Sequence, residues 1–123
     1  VESEVPPVIK EKMVAANSSQ TTRSRSRTGK HSRQLVSPWT DAWESEQAPD
    51  PLPMPLQPMV AEPALQKVAK LAEGGHDGAR DLATYWVGQG VGLMNQSISA
   101  SDVVQEFKED FAEAYERLTG FVS

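Results

Sequence analysis

Three stretches of this 123-residue chain hold the residue types that chemistry uses. The first is Tyr85-Trp86-Val87-Gly88-Gln89-Gly90-Val91-Gly92-Leu93-Met94. Each glycine inside a helix costs about 1 kcal/mol relative to alanine, so three at spacing two are not placed for helix stability. They let backbone come close to a ligand or a packed partner, and Gln89 is the polar side chain in the middle that would make the contact. The alternative is a loop between helices or close packing of a helix, because Gly-x-Gly-x-Gly here lacks the strand–turn–helix setting of a nucleotide fingerprint. The second stretch is Arg23-Ser24-Arg25-Ser26-Arg27 with Lys30 and Arg33, a charge pattern able to neutralise phosphates. No aromatic residue lies inside it to stack a base, so a solvated ribbon or an intersubunit contact is the favoured reading, with Arg33 a partner for a carboxylate elsewhere. The third group is the two histidines, His31 and His76, both among polar neighbours and read as surface residues.

No nucleophile–base pair or carboxylate dyad stands out, so no catalytic residue is assigned. The absence of cysteine excludes disulfides and thiolate metal sites, and two histidines alone cannot build a zinc site. No apolar run approaches the roughly 18 residues of a membrane span, and no leader precedes Glu2, which gives the expectation of a soluble, cytoplasmic protein. The chain does not begin with Met and reads like a piece of a longer protein.

The elements that must position these groups follow from charge and periodicity. The net charge of −5 divides unevenly, +4 over residues 1–40 and −9 over residues 41–123. From Asn17 to Gln34 there is no apolar residue, so these eighteen positions are expected to run over a surface, pair as an exposed ribbon or stay disordered. Before them, Pro7 opens a short helix with Ile9, Met13 and Ala16 on one stripe. After them, Ser37 and Pro38 start a second helix that puts Trp39 and Trp43 on one face to bury together. Six of the nine prolines fall between Pro49 and Pro63, which predicts an extended strap across a surface. Pro63 then opens a helix to about Glu73, with Leu65, Val68, Ala69 and Ala72 inward and Gly74-Gly75 as its stop. The last helix is the best defined: Val103, Val104, Phe107, Phe111, Ala114, Tyr115 and Leu118 recur at 3–4 spacing, Ser99 and Asp102 resemble a capping box, and Gly120 falls at the C′ position. No strand pattern is convincing. The expected fold class is mainly α with irregular connections, in four segments: 1–16, 17–48, 49–63 and 64–123.

Read in order, several segments resemble the C-terminal third of the nitronate monooxygenases, the FMN-dependent enzymes formerly called 2-nitropropane dioxygenases. They are Lys10-Glu11 with Ala15-Ala16, Thr28-Gly29-Lys30-His31-Ser32-Arg33, Pro49 to Gln57, Tyr85 to Leu93 and the helix from Ser101. The Gly-Gln-x-x-Gly element at 88–92 is also similar to one in flavin-dependent enoyl-ACP reductases. The resemblance implies an α/β TIM-barrel parent in which residues 1–16 are the last outer helix and the remainder a C-terminal extension over the barrel. It implies oxidation of an alkyl nitronate by O₂ to a carbonyl compound and nitrite, with FMN as cofactor and with the missing N-terminal barrel as partner. Gly88, Gln89, Gly90 and Gly92 are then candidates to face the flavin or its pocket wall, and Met54 and Gln57 to line the substrate pocket. Met54 stands where many family members carry Tyr. The FMN-phosphate and catalytic motifs of the family match no residue here, so the chain alone is expected to be inactive and flavin-free. The competing reading is a small helical interaction protein whose basic tract binds nucleic acid or an acidic partner.

Overall fold

A computed structural model describes residues 1–122. Five α-helices, one β-hairpin and a 3₁₀ turn divide between two compact units, residues 5–95 and a second made of residues 1–4 with 96–123.

In the larger unit, α1 (Pro7–Ala15) begins at the proline whose missing N–H would have no helical partner anyway. It buries Val8 and Ile9. These pack with Ala72, Ala79 and Ala83, flanked by Val5, Met13, Val68 and Tyr85, in a lean core dominated by alanine. The Ala residues come from α3 (Leu56–Glu73), from α4 (Asp77–Leu82) and from the residue that ends α4. Lys12 lies across the end of α4 and donates to the Asp81 and Ala83 carbonyls at 2.9 and 2.7 Å. The basic group thus meets the negative end of a helix. Burial pushes the Lys12 ammonium below the ordinary lysine range, against the opposite pull of Asp81.

The basic tract folds as an antiparallel hairpin of β1 (Thr21–Ser24) and β2 (Ser32–Leu35), with Thr21 opposite Leu35 and Ser24 opposite Ser32. Two expectations change here. Strands exist where no alternation announces them, and the ribbon is exposed on one side only: Arg23, Lys30 and His31 face solvent, while Ser24, Ser26 and Gln34 are fully buried and Arg27 is 8% exposed. Polar groups fill this interior by bonding to one another, Ser24 Oγ to Ser26 Oγ at 2.8 Å among them.

α2 (Pro38–Glu44) starts where Ser37 and Pro38 place it. Thr40 Oγ1 accepts from the Ser37 N–H at 2.9 Å, and Ser37 Oγ donates to the Leu82 carbonyl at 3.1 Å. Trp39 and Trp43 meet at 6.1 Å between centroids, half-buried rather than enclosed.

The proline strap is shorter than its composition suggests. α3 starts at Leu56 behind a turn at Met54 and Pro55, so the extended segment stops at Pro53, and the helix passes through Pro63. Pro58 is the third helical residue, where an N–H would lack a partner. Pro63 forfeits one internal bond while Ala61 and Leu65, on either side, are buried. Leu65 and Ala72 face inward as expected, Val68 and Ala69 partly so, and Gly74 with Gly75 (φ +88°) ends the helix.

In the smaller unit, α5 (Ala100–Gly120) is capped by Ser99 Oγ accepting from the Asp102 N–H at 3.1 Å. The helix includes Gly120 and ends at Phe121, one residue beyond the expected stop. Glu2 accepts from the Ala100 N–H at 2.9 Å.

Two predictions follow from this architecture. Gly29 and Gly75 both have positive φ, but a Cβ on Gly75 meets nothing, whereas one on Gly29 meets the Leu52 carbonyl and lies 2.7 Å from Met54 N. Gly75→Ala should cost about 1–2 kcal/mol in denaturant unfolding, and Gly29→Ala clearly more, on the order of 3 kcal/mol. Equal costs would contradict the contact. The N–H of Ala100 holds the Glu2 carboxyl below its ordinary value. The contact is therefore complete above the ordinary carboxylate range and lost as pH falls through the lowered value, and the Ala100 amide resonance should titrate there.

Candidate functional site

Three of the segments that carry the family resemblance, the hairpin loop, the strap and Tyr85–Leu93, meet in one region of the larger unit. β2 positions the start of the glycine segment: Leu35 N–H donates to the Tyr85 carbonyl at 3.0 Å and Val87 N–H to the Arg33 carbonyl at 3.1 Å, around a bridge between Gln34 and Trp86. Thr84 Oγ1 adds a 2.6 Å bond to the Leu35 carbonyl. Chain direction is thus fixed up to Gly88, after which Gln89–Leu93 turn once as a 3₁₀ helix.

The three glycines do different things. Gly92 makes the close approach, but to this chain's own Ser18: an added Cβ would run into Ser18 Oγ and lie 2.6 Å from Ser18 N. At this position the close approach is to a packed segment of the chain itself. Gly90 is open, with nothing within 4 Å of an added Cβ, and Gly88 meets only Gly90 N at 4.0 Å. Gly88, Gln89 and Gly90 are exposed, so they present bare backbone and one amide side chain outward.

Next to them, Trp86 and Tyr85 touch edge to face at 5.7 Å, and the Arg27 guanidinium lies 3.7 Å over the Trp86 ring. Arg27 Nε donates to Glu62 Oε1 of α3 at 2.8 Å. Residue spacing did not single out Arg27. Arg33, the expected carboxylate partner, instead donates to Thr21 Oγ1 at 2.9 Å, diagonally across the hairpin. Arg25 Nε is bonded to the Gly29 carbonyl at 3.1 Å. Arg27 Nη1 is buried without a partner among the described residues, and the side chain borders a cavity of about 100 Å³ walled by Ile9, Leu65, Ala72 and Tyr85.

The strap closes over the hairpin loop. Gln57 is 1% exposed; its Nε2 donates to the Ser26 carbonyl at 2.6 Å and its Oε1 accepts from the Leu52 N–H at 2.9 Å. Its amide is thus used in joining strap, loop and helix. Met54 is half exposed. His31 and His76 are both exposed, and His76 Nδ1 caps α4 by accepting from the Ala79 N–H at 3.2 Å. No group of His, Asp or Glu among the described residues could hold a metal ion. No described helix is long and apolar enough to cross a membrane.

Arg27 is the group whose removal tests this arrangement. Arg27→Met leaves Glu62, about one-third exposed, without its partner and uncovers Trp86, and should cost about 2 kcal/mol in denaturant unfolding. Arg27→Lys should recover less than half of that, since an ammonium lacks the flat face and the fork. A loss below about 0.5 kcal/mol for Arg27→Met would contradict the assignment.

The nitronate monooxygenase family model matches residues 1–110. The Mycobacterium tuberculosis protein named "Putative monooxygenase Rv1533" is 47% identical over 122 residues, which is 98% of this chain and 32% of that relative. No solved structure matches. The chain spans about a third of the length of the curated relative it matches, and it belongs to the nitronate monooxygenase family.

Proposed function

We propose that these residues form the last third of a longer FMN-dependent TIM-barrel enzyme that oxidises alkyl nitronates with O₂ to carbonyl compounds and nitrite. The carrying observation is the family match over residues 1–110 combined with coverage of only 32% of the relative. Surface chemistry supports it. The larger unit leaves Leu52, Met54, Leu56, Met59, Trp86 and Leu93 between 42% and 84% exposed, over a core made largely of alanine. So much exposed apolar surface on a small body is the mark of a part that another body covers.

The described residues fit a flavin only at an edge. Gly88 and Gly90 offer backbone that a planar ring can approach, and Gln89 offers both a donor and an acceptor beside it. The cavity next to Arg27, about 100 Å³, is too small for FMN, and no glycine of the segment lines it. In this reading the ring and its phosphate are held by the rest of the enzyme, and FMN, when bound, supplies the electron transfer between nitronate and O₂. This chain contributes the Gly88–Gly90 rim, the amide of Gln89 and the wall at Met54. Gln57 and Arg27 hold strap and rim in register. The basic tract gives little support to nucleic-acid binding, since Arg25, Arg27 and Arg33 are each committed to a partner within the chain.

In the longer enzyme, Gly90→Leu should lower kcat/KM for a nitronate by about 10- to 100-fold with unchanged thermal stability. Gly92→Ala, whose Cβ meets Ser18, should lower stability first. The 123-residue chain alone should bind no FMN at micromolar concentrations. Flavin binding and nitronate consumption by that chain alone would overturn the reading.

A further inference from the structure

We propose that the cavity beside Arg27 is a binding site for a small neutral carbonyl compound, a ketone or aldehyde, whose oxygen accepts from Arg27 Nη1 and whose hydrocarbon part lies among Ile9, Leu65 and Ala72. Arg27 has one donor left over. Its Nε is committed to Glu62 Oε1 at 2.8 Å and its flat face to Trp86, while Nη1 is buried with no partner among the described residues. The side chain is only 10% exposed. A buried donor in this state destabilises the fold until something accepts from it.

The walls decide what that acceptor is attached to. The cavity, about 100 Å³, lies wholly within the larger unit. Its floor is made by Val8, Ile9, Leu65, Ala72 and Ala83, all buried by the packing of this chain itself. Thr84 Oγ1, also on the wall, is committed to the Leu35 carbonyl at 2.6 Å. Water would fill the volume with about three molecules, each in need of two to four polar partners, and one leftover donor cannot hold them. A void left empty forfeits the contacts of its lining. One acceptor on a short hydrocarbon satisfies donor and walls together, and the space suits on the order of four non-hydrogen atoms.

Charge excludes the carboxylate that an arginine often takes. Glu62 and Glu73 both border the cavity, against a guanidinium that already has its counter-charge. A third negative charge would be repelled, so the head group is neutral. The entrance also differs from the surface that the rest of a longer enzyme would cover. Glu62, Gln66, Ala69 and Glu73 follow one stripe of α3 at intervals of four, three and four, and give the cavity a mostly polar rim. None of the exposed apolar residues Leu52, Met54, Leu56, Met59 and Leu93 lines it. The carbonyl product of the reaction proposed above belongs to this class of ligand, and the site stands whether or not that reading does.

Acetone is the probe. Four non-hydrogen atoms limit the Kd to no tighter than about tens of micromolar, so binding is followed by NMR up to tens of millimolar. In the 123-residue chain and in the longer enzyme, acetone should shift the methyl resonances of Ile9, Leu65 and Ala72 along a saturable curve, and acetate should not. Arg27→Met should weaken binding at least about tenfold. Because that variant also loses stability, Ala69→Leu gives an independent check: the larger side chain fills the entrance, and should abolish the shifts with the melting temperature unchanged or higher. Absent or unsaturable shifts would overturn the proposal, as would acetate binding as well as acetone, or unchanged binding in either variant. Shifts that occur in the 123-residue chain and vanish in the longer enzyme would also overturn it, since polypeptide then fills the cavity. None of these readouts uses FMN or turnover, so failure here and failure of the flavoenzyme reading are told apart.

Discussion

Eighteen consecutive residues without an apolar side chain can enter a protein interior only if hydrogen bonds take over the work of packing. Within the segment from Asn17 to Gln34, Ser24, Ser26, Arg27 and Gln34 do this, and the larger unit is arranged around that constraint. Ser24 and Ser26 bond to each other, Gln57 reaches down from α3 to the Ser26 carbonyl, and Arg27 reaches up to Glu62 while covering Trp86. A buried polar group without a partner costs about 1–3 kcal/mol, so these bonds specify the arrangement more sharply than an alanine-rich core does. Gly29 belongs to the same device, because only a residue without Cβ lets the hairpin loop pass beneath the backbone of Leu52–Met54.

What the sequence makes legible is what local physics decides. Pro7, Ser37 with Pro38, Gly74 with Gly75, and Ser99 with Asp102 mark helix ends through groups within a turn of the end itself. The beginning of α3 is not legible in this way. Prolines at 58 and 63 argue for a strap, and the burial of Gln57, Ala61 and Leu65 against other segments outweighs them. The hairpin is hidden for a related reason: its buried strand residues are Ser24, Gln34 and Leu35, two of them polar and two adjacent, which show no alternation to read. Arg27 and Arg33 are indistinguishable as sequence; only the folded hairpin, with Arg33 in β2 and Arg27 in the loop beneath α3, separates the one that reaches a carboxylate from the one that does not.

The candidate site divides along the same line. The glycines at 88, 90 and 92 stand out as a group, yet their separate roles depend on where Ser18 lies, seventy or more residues away in sequence. The resemblance rested on the order of segments that are weak singly. The fold gives that order a physical basis, since the hairpin loop, the strap and the Tyr85–Leu93 segment touch one another through Gly29, Gln57, Arg27 and Arg33. A substitution in one of these segments is felt by the others, which makes them a single packed unit rather than three separate motifs.

The central claim is that this unit is one part of a larger flavoenzyme, with its apolar strap and glycine rim against the remainder. Hydrogen–deuterium exchange measured on the 123-residue chain and on the longer enzyme addresses it most directly. The account predicts strong added protection in the longer enzyme at Leu56, Met59 and Val60 at the start of α3 and from Trp86 to Met94, together with protection at Gly90 that increases on FMN binding. Identical exchange of these segments in both proteins, with and without FMN, would contradict it.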